Sequence, residues 1–472
     1  MITACVVVLG AMLLVNPAAG QTQIDRFERQ LEQVRRETRM LVHPDVPVEQ
    51  RALVDFGAYA SFYFLAMDDI QGSTHILRQT ELNPYARVNF DGAHEFFFRG
   101  RVGYRDWNSG DAFDGRGDRT LGPHLERAYY RFDLRRAMAA YEGENIDFNL
   151  TIQGGRQLVH WANGLVLSTE LDGGIVGGEL GSLTIQAIGG RSRKRQTDID
   201  SARPRFDRNM QRDFFGGIVT YELSANHRPF VYGLVQRDEN DDESINFLGS
   251  DTRFDYNSHY IGVGSEGNLT DKLLYGVEAV YQGGDTLSFA PFGTQTREDI
   301  RAWALSARGD YLVTDANNTR FTAEFVAASG DDDRVFHTTN TFGGVQPGHT
   351  DNAFNAFGLV NTGYAFNTNA SNLLMLRLGA STYPFAETQG IFQRLQLGAD
   401  FFVFNKMDAD GPIDEPTDDS RYLGLETDFY ANWQVTSDLA VTTRYGVFFP
   451  GGAIAAGSNP RHFLFTGVTL GF

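Results

Sequence analysis

The sequence predicts an all-β protein, a transmembrane antiparallel β-barrel of about 18 strands with a short N-terminal helix. Three observations carry this expectation. Windows of ~10 residues alternate apolar and polar side chains, as a wall with lipid on one side and water on the other requires. The connections between those windows alternate short and long. The last window, residues 461–472, places Leu464, Val468 and Leu470 on one face with Thr466 in the remaining slot, and it closes on Phe472. A terminal strand of this form is expected to carry the signal read by the barrel assembly machinery.

From the N-terminus, residues 1–20 carry no charge and hold an apolar run from Cys5 to Val15 ahead of Pro17-Ala18-Ala19-Gly20. This reads as a secretory signal, with the mature chain starting near Gln21. The run falls short of the ~20 apolar residues of a membrane helix. Cys5 is the only cysteine and leaves with the signal, so neither disulfide nor thiol chemistry is expected afterwards. Residues 21–52 read as a periplasmic helical segment. Ile24, Phe27, Leu31, Val34 and Leu41 recur at heptad spacing, Thr38 interrupts the stripe, and His43-Pro44 ends it. Through residues 22–42 this helix can pack on the barrel or on a periplasmic partner, with a plug in the pore or an oligomerisation stalk as alternatives. The barrel itself is expected over residues 53–472.

Composition agrees with many strands: 51 Gly, 37 Phe and 19 Tyr stand against 14 Pro, and mean hydropathy is −0.30. A soluble sandwich or propeller could share those values, so the strand patterns decide. In residues 95–105, Phe96, Phe98, Gly100, Val102 and Tyr104 oppose Glu95, Phe97, Arg99, Arg101 and Arg105. In residues 127–134, Ala128, Tyr130, Phe132 and Leu134 oppose Arg127, Tyr129, Arg131 and Asp133. Residues 373–381 carry Arg377 on the polar face, and in residues 394–404 Leu395, Leu397, Ala399, Phe401 and Val403 oppose Arg394, Gln396 and Asp400. Later, Leu423, Leu425, Phe429 and Trp433 oppose Glu426 and Asp428, while Leu439, Val441, Tyr445 and Val447 oppose Thr442 and Arg444.

Tight turns fall at residues 91–93, 226–227, 268–271, 315–318 and 435–438. Long connections fall at residues 108–124, 192–211, 238–255, 284–298, 330–352, 405–420 and 451–460. Residues 354–366 could pass for a strand. A barrel with both ends in the periplasm needs an even count, so they are assigned to an extracellular loop.

The net charge of −19 is unevenly placed. Acidic residues cluster in long connections, at 238–243, 331–333 and 408–419, as solvated faces or divalent-cation bridges to outer-membrane lipid. Arginines recur on the water side of strands: Arg87, Arg99, Arg101, Arg105, Arg127, Arg131, Arg237, Arg308, Arg377, Arg394 and Arg444, with Glu426 and Asp428 also lining the pore. In a narrow lumen such arginines hold carboxylates bidentately and pass anions along. They can equally brace the wall by pairing with Glu95, Asp133, Glu278, Glu324, Asp400, Glu426 and Asp428. No cofactor, metal site or nucleic-acid partner is expected. His160, Ser168 and Asp172 have the residue types of a hydrolase triad, but no Gly-x-Ser-x-Gly turn surrounds Ser168, and an enzyme is not expected.

Four motifs in order resemble the alginate export porin family: Gly155-Arg156-Gln157, Ser329-Gly330-Asp331-Asp332, Gly424-Leu425-Glu426-Thr427-Asp428 and Phe448-Phe449-Pro450-Gly451. The resemblance spans residues 53–472. It implies a monomeric outer-membrane barrel of 18 strands whose arginine-rich pore passes an anionic polysaccharide, the polyuronate alginate, outward. A general or anion-selective uptake porin for small solutes is the alternative. Arg156 matches the arginine of the family's Gly-Arg-Gln motif, and the resemblance implies that it faces the pore. Strict alternation from Phe148, Leu150 and Ile152 turns it toward lipid instead, so a bulge at Gly154-Gly155 is needed to bring it inward.

Overall fold

The computed structural model describes Gln30 and residues 52–472, apart from 114, 194–195, 197, 200–209, 225, 241–243, 248–249, 290–293 and 335–343. The expected signal and nearly all of the heptad segment lie outside the described residues. Gln30 is buried, and its side-chain amide donates to the Tyr364 carbonyl.

Hydrocarbon offers no partner to a backbone N–H or C=O, so a strand-built membrane protein has to close its sheet on itself. Eighteen strands do so here. In chain order they are β1 Ala52–Asp68, β2 Thr74–Phe90, β3 His94–Trp107, β4 Arg119–Asp133, β5 Phe148–His160, β6 Ser168–Leu180, β7 Leu183–Ser192, β8 Arg212–Tyr221 and β9 His227–Asp238. A small hairpin, β10 Ser244–Phe247 with β11 Ser250–Arg253, stands outside the wall. The ring continues through β12 Tyr256–Thr270, β13 Leu273–Leu287, β14 Arg297–Leu312, β15 Arg320–Ala328, β16 Leu373–Thr382, β17 Leu395–Asn405, β18 Tyr422–Gln434, β19 Leu439–Pro450 and β20 Arg461–Gly471. Each strand pairs antiparallel with the next, and β20 closes on β1 in the register Tyr59↔Gly471 to Met67↔Phe463. Beyond β20, the Phe472 N–H donates to the Ala58 carbonyl at 3.0 Å, and its own carbonyl accepts from the Ala58 N–H at 2.8 Å. Deleting Phe472 removes both bonds at the seam together with the terminal aromatic. The heat-modifiable, assembled form on unboiled gels is expected to fall; an unchanged band would refute a role for this residue in assembly.

At the end where β1 begins and β20 finishes, turns such as 91–93, 181–182 and 271–272 are tight, which is the periplasmic pattern. There, β4 stops at Asp133, whose carboxylate accepts from the Arg136 N–H at 3.0 Å and caps a two-turn helix, Leu134–Tyr141. The opposite end carries the long connections, of which residues 329–372 are the longest. Residues 354–366 form no strand and lie inside that connection, which keeps the count even.

The outward stripe is apolar, with Phe56, Phe98, Phe215, Ile261, Phe401 and Leu470 among its exposed members. The inward face is less polar than alternation suggests. Phe402, Phe404, Phe448, Phe463 and Phe465 all point inward and are buried with Tyr364, Phe366, Ile413 and Ile454 from the long connections. A second cluster joins Phe214, Tyr232 and Tyr260 of the wall to Trp161, Leu165, Phe354 and Phe357. The extracellular half of the barrel is therefore filled by its own connections, and burying these aromatics supplies the cohesion that holds them in. Leu423 belongs to the first cluster, not to the lipid stripe. Phe404 pairs with Gly424 but Asn405 pairs with Tyr422, so a bulge at Leu423 turns it inward.

Candidate functional site

Inward-facing arginines concentrate on three adjacent strands. On β3 and β4, Arg99 and Arg127 are direct cross-strand partners, and Arg131 lies opposite Glu95. Arg87 of β2 reaches the same carboxylate, with its Nη2 at 2.6 Å and Nε at 3.1 Å from Glu95 Oε2, while the Tyr129 hydroxyl donates to Oε1 at 3.1 Å. Between Arg99 and Gly100 the register slips past Glu126. That bulge sets the Glu126 carboxylate 2.7 Å from Arg99 Nε and relieves the clash of two guanidinium groups directly opposed. Arg101 stands 4.0 Å from Glu81, and Arg131 is exposed. Among the described residues of β2–β4, five arginines, 87, 99, 101, 127 and 131, thus face three glutamates, 81, 95 and 126, a surplus of positive charge that Asp55 of β1, in register with Arg87, reduces to one. Arg105, named with them from the sequence, is buried and donates to Gln79 at 2.8 Å, so water does not reach it.

The facing wall differs. Arg377 on β16 lies between Glu324 on β15 and Asp400 on β17, with all three hydrogen bonds at 3.0 Å, and stacks 5.7 Å over the Phe402 ring. Arg308 and Arg320 share Asp310 at 2.9 and 2.6 Å. Arg444 is buried, bonded to Thr442 at 2.8 Å and stacked on Tyr430. Here the geometry is that of wall bracing. Replacing Arg377 with Met takes the guanidinium from buried Asp400 and half-buried Glu324 and is expected to cost about 3–5 kcal/mol, read as a lowered urea midpoint of the folded barrel; an unshifted midpoint would refute the bracing role.

Glu426 and Asp428 do not line open water, as the sequence reading had them. Both are buried beneath the connection 329–372, whose backbone they hold. Ala365 and Phe366 N–H groups donate to the two Glu426 oxygens at 2.6 and 2.8 Å, and the Tyr364 N–H donates to Asp428 at 3.1 Å. Gly363 makes this approach feasible: its φ is +85°, and a Cβ there would stand 2.5 Å from the Glu426 carboxyl carbon. Farther along, the same connection touches the opposite side of the ring. The Ser168 N–H donates to the Phe357 carbonyl at 2.8 Å, the Leu359 N–H to the Gly164 carbonyl at 2.9 Å, and the Asn355 N–H to Gln282 at 2.9 Å. The segment therefore spans the lumen from β15–β16 to the connection between β5 and β6. Inward aromatics on β17, β19 and β20 were the sequence signal for it.

The root of this connection is an ionic knot. Arg334 lies 2.9 Å from Asp351 and 3.9 Å from Asp331, one guanidinium for two buried carboxylates. Burial, then the Asp351 charge, push the Asp331 carboxyl up to about 7. A folded-state value above the unfolded one means that folding is disfavoured as pH rises from about 4 to 7, and the penalty stays complete above that. The protection factors of residues 329–334, with the intrinsic base catalysis of amide exchange divided out, are expected to fall over this window in the native chain and to stay level in Asp331→Asn; an equal fall in both would refute it.

Three named arginines lie elsewhere. The β4–β5 and β5–β6 registers run without a break through Gly154 and Gly155, so the expected bulge is absent and Arg156 keeps to the lipid-side face with Phe148 and Ile152. It holds Asp172 through Nε and Nη2, both at 2.6 Å. Arg237 also faces outward, beside exposed Val231 and Val235, while Tyr232, Leu234 and Gln236 point inward. Arg394 precedes β17 and is exposed at the periplasmic mouth. Of the hydrolase-like trio, His160 Nδ1 and Ser168 Oγ meet at 2.9 Å, but Asp172 is engaged by Arg156 and orients neither.

Solved outer-membrane porins share this fold. The chain superposes on Pseudomonas aeruginosa OccK5 (OpdH) with a TM-score of 0.54 at 12% identity, and on a BenF-like porin from Pseudomonas fluorescens Pf-5 with 0.54 at 10% identity; each comparison covers 89% of this chain and 98% of the other. Pseudomonas aeruginosa OpdK, solved with vanillate, gives 0.53 at 11% identity over the same shares. No curated protein matches the sequence significantly. The family model described as alginate export matches residues 78–465. With that match and a closed 18-stranded wall, the chain belongs to the alginate export family and is a β-barrel channel protein of the bacterial outer membrane.

Proposed function

We propose that the channel exports an anionic polysaccharide of the polyuronate type, and that the arginines of β2–β4 form its binding track. The supporting observation is the surplus of guanidinium groups on one wall, opposite a wall whose charges are internally paired. A polymer with one carboxylate per sugar can exchange bidentate contacts along Arg131, Arg127, Arg99 and Arg101, which alternation sets on two adjacent strands ~4.8 Å apart. Local field in a weakly screened lumen outweighs acidic loops a Debye length, ~8 Å, or more away, so anion selectivity follows despite the net charge of −19. The second reading is an uptake porin for small anions. The filled extracellular half favours it, since a narrow passage admits a short solute more readily than a chain. Planar-bilayer recording with polyuronate, neutral glucan and small anions tests both readings. Export of polymer predicts block by polyuronate at concentrations where short uronates permeate freely and glucan does nothing; cation selectivity would overturn both.

A further inference from the structure

The outer wall carries an ion-pair ladder that transport through the lumen does not use. Arg156 on β5, Asp172 on β6, Arg191 on β7, Asp213 on β8 and Arg237 on β9 are successive cross-strand partners, positive and negative in alternation. Their side chains share the lipid-side face with the exposed Ile152, Val176, Ile185, Phe215 and Val235. Those apolar residues lie toward the periplasm along each strand, and Phe215 and Val235 are each two residues away from a ladder charge. The ladder therefore stands just beyond the apolar band, at the extracellular end, where headgroups of the outer leaflet begin.

Its bonding is regular. Arg191 holds Asp213 at 2.6 and 2.7 Å, as Arg156 holds Asp172. In the next row outward Arg193 pairs with Glu170. With exposed Glu239, two residues beyond Arg237 in that outer row, four arginines stand among four carboxylates, so this face is balanced in charge within a strongly acidic chain. The Arg237 guanidinium has no hydrogen bond or ion pair to any described residue, and the Arg191 side chain stays 53% exposed despite its partner. Barrel stability does not account for this. Exposed ion pairs contribute ~0–1 kcal/mol each, and an apolar residue would serve a lipid-facing site at least as well. The alternation has another consequence: successive arginines are two strand steps apart, roughly 10 Å, with a carboxylate between them that fixes their spacing and keeps them from repelling.

We infer that the ladder on β5–β9 binds the phosphorylated headgroup of an outer-leaflet glycolipid, one phosphate on Arg191 and a second on Arg237. Guanidinium suits this task, because its planar fork binds phosphate bidentately and loses less hydration than an ammonium. Acyl chains of the same lipid then cover Phe215 and Val235 directly below, so headgroup and tails are recognised by one face. A bare phosphate gains only the first of these contacts.

The test uses the purified full-length barrel in non-ionic detergent, with bisphosphorylated lipid A, its dephosphorylated form and inorganic phosphate as separate probes, followed by native mass spectrometry and by the melting temperature of the folded band. Bisphosphorylated lipid is expected to be retained and to raise the melting temperature, and the double substitution Arg191→Gln, Arg237→Gln to weaken retention at least tenfold. The lumen pair Arg127→Gln, Arg131→Gln should leave retention unchanged. Should the double variant fail to assemble, Arg237→Gln alone is read, since it breaks no ion pair, and a threefold or greater loss is expected. Equal retention of the dephosphorylated lipid, equal competition by inorganic phosphate, or unaltered binding by the ladder variants would each overturn the assignment.

Discussion

Replacing Arg127 and Arg131 with Gln is expected to abolish anion selectivity and weaken polyuronate block of the channel by one to two orders of magnitude. The double change takes the β2–β4 wall from five arginines facing three glutamates to three facing three, so the local surplus disappears. Each lost charge-assisted contact is worth about 1.5–3 kcal/mol where water is restricted, and roughly half of that remains on a partly wet surface such as exposed Arg131. Two contacts then total about 2 kcal/mol, or about 30-fold in the blocking constant. Gln keeps a polar, hydrogen-bonding side chain, so assembly should be preserved. A wall-bracing role gives the reverse pattern, with lost assembly and retained selectivity. Unchanged block and reversal potential would remove this wall from the translocation path.

The second large effect is expected from Glu426→Ala. The carboxylate accepts from two backbone N–H groups of the lumen-spanning connection, and its loss leaves both buried without partners. Each orphaned donor costs about 1–3 kcal/mol, which is comparable to the free energy that holds one segment of a connection in place. The segment around residues 363–366 should leave its seat part of the time, raising single-channel conductance severalfold and adding rapid current fluctuation. Register between β17, β18 and β19 does not depend on this carboxylate, so folding on unboiled gels should persist. Gly363→Val should act in the same direction, because its side chain would collide with the Glu426 carboxyl. Conductance equal to that of the native channel in both variants would mean that the connection is a fixed part of the wall.

Much of the wall was legible in the sequence because strand alternation is a local property. Phe96, Phe98 and Tyr104 outward with Arg99 and Arg101 inward follow from period two alone, and the tight turn at residues 91–93 from its Asp-Gly pair. Arg156 is instructive: the parity of its own strand pointed outward, and only the resemblance called for a bulge to reverse it. For Arg237 parity could not choose. Val231 and Val235 on one face and Tyr232 and Leu234 on the other are equally apolar, since the inward face there is buried under Phe357 and its neighbours. Leu423 was misassigned for a related reason, because a bulge is a property of two strands and one strand's pattern does not announce it.

By itself, then, the sequence determined an 18-stranded membrane barrel, its even count, its periplasmic turns and the cluster of arginines on β2–β4. Only the tertiary structure decided that the long connections fill the extracellular half of the lumen, that Glu426 and Asp428 hold backbone instead of facing water, and that Arg156 and Arg237 belong to the outer wall. The physical reason is one of range. Side-chain direction along a strand is fixed by its own pleat, whereas the seat of a 44-residue connection across a barrel is fixed by aromatic burial and by hydrogen bonds such as Ala365 to Glu426, between residues 61 positions apart in the chain.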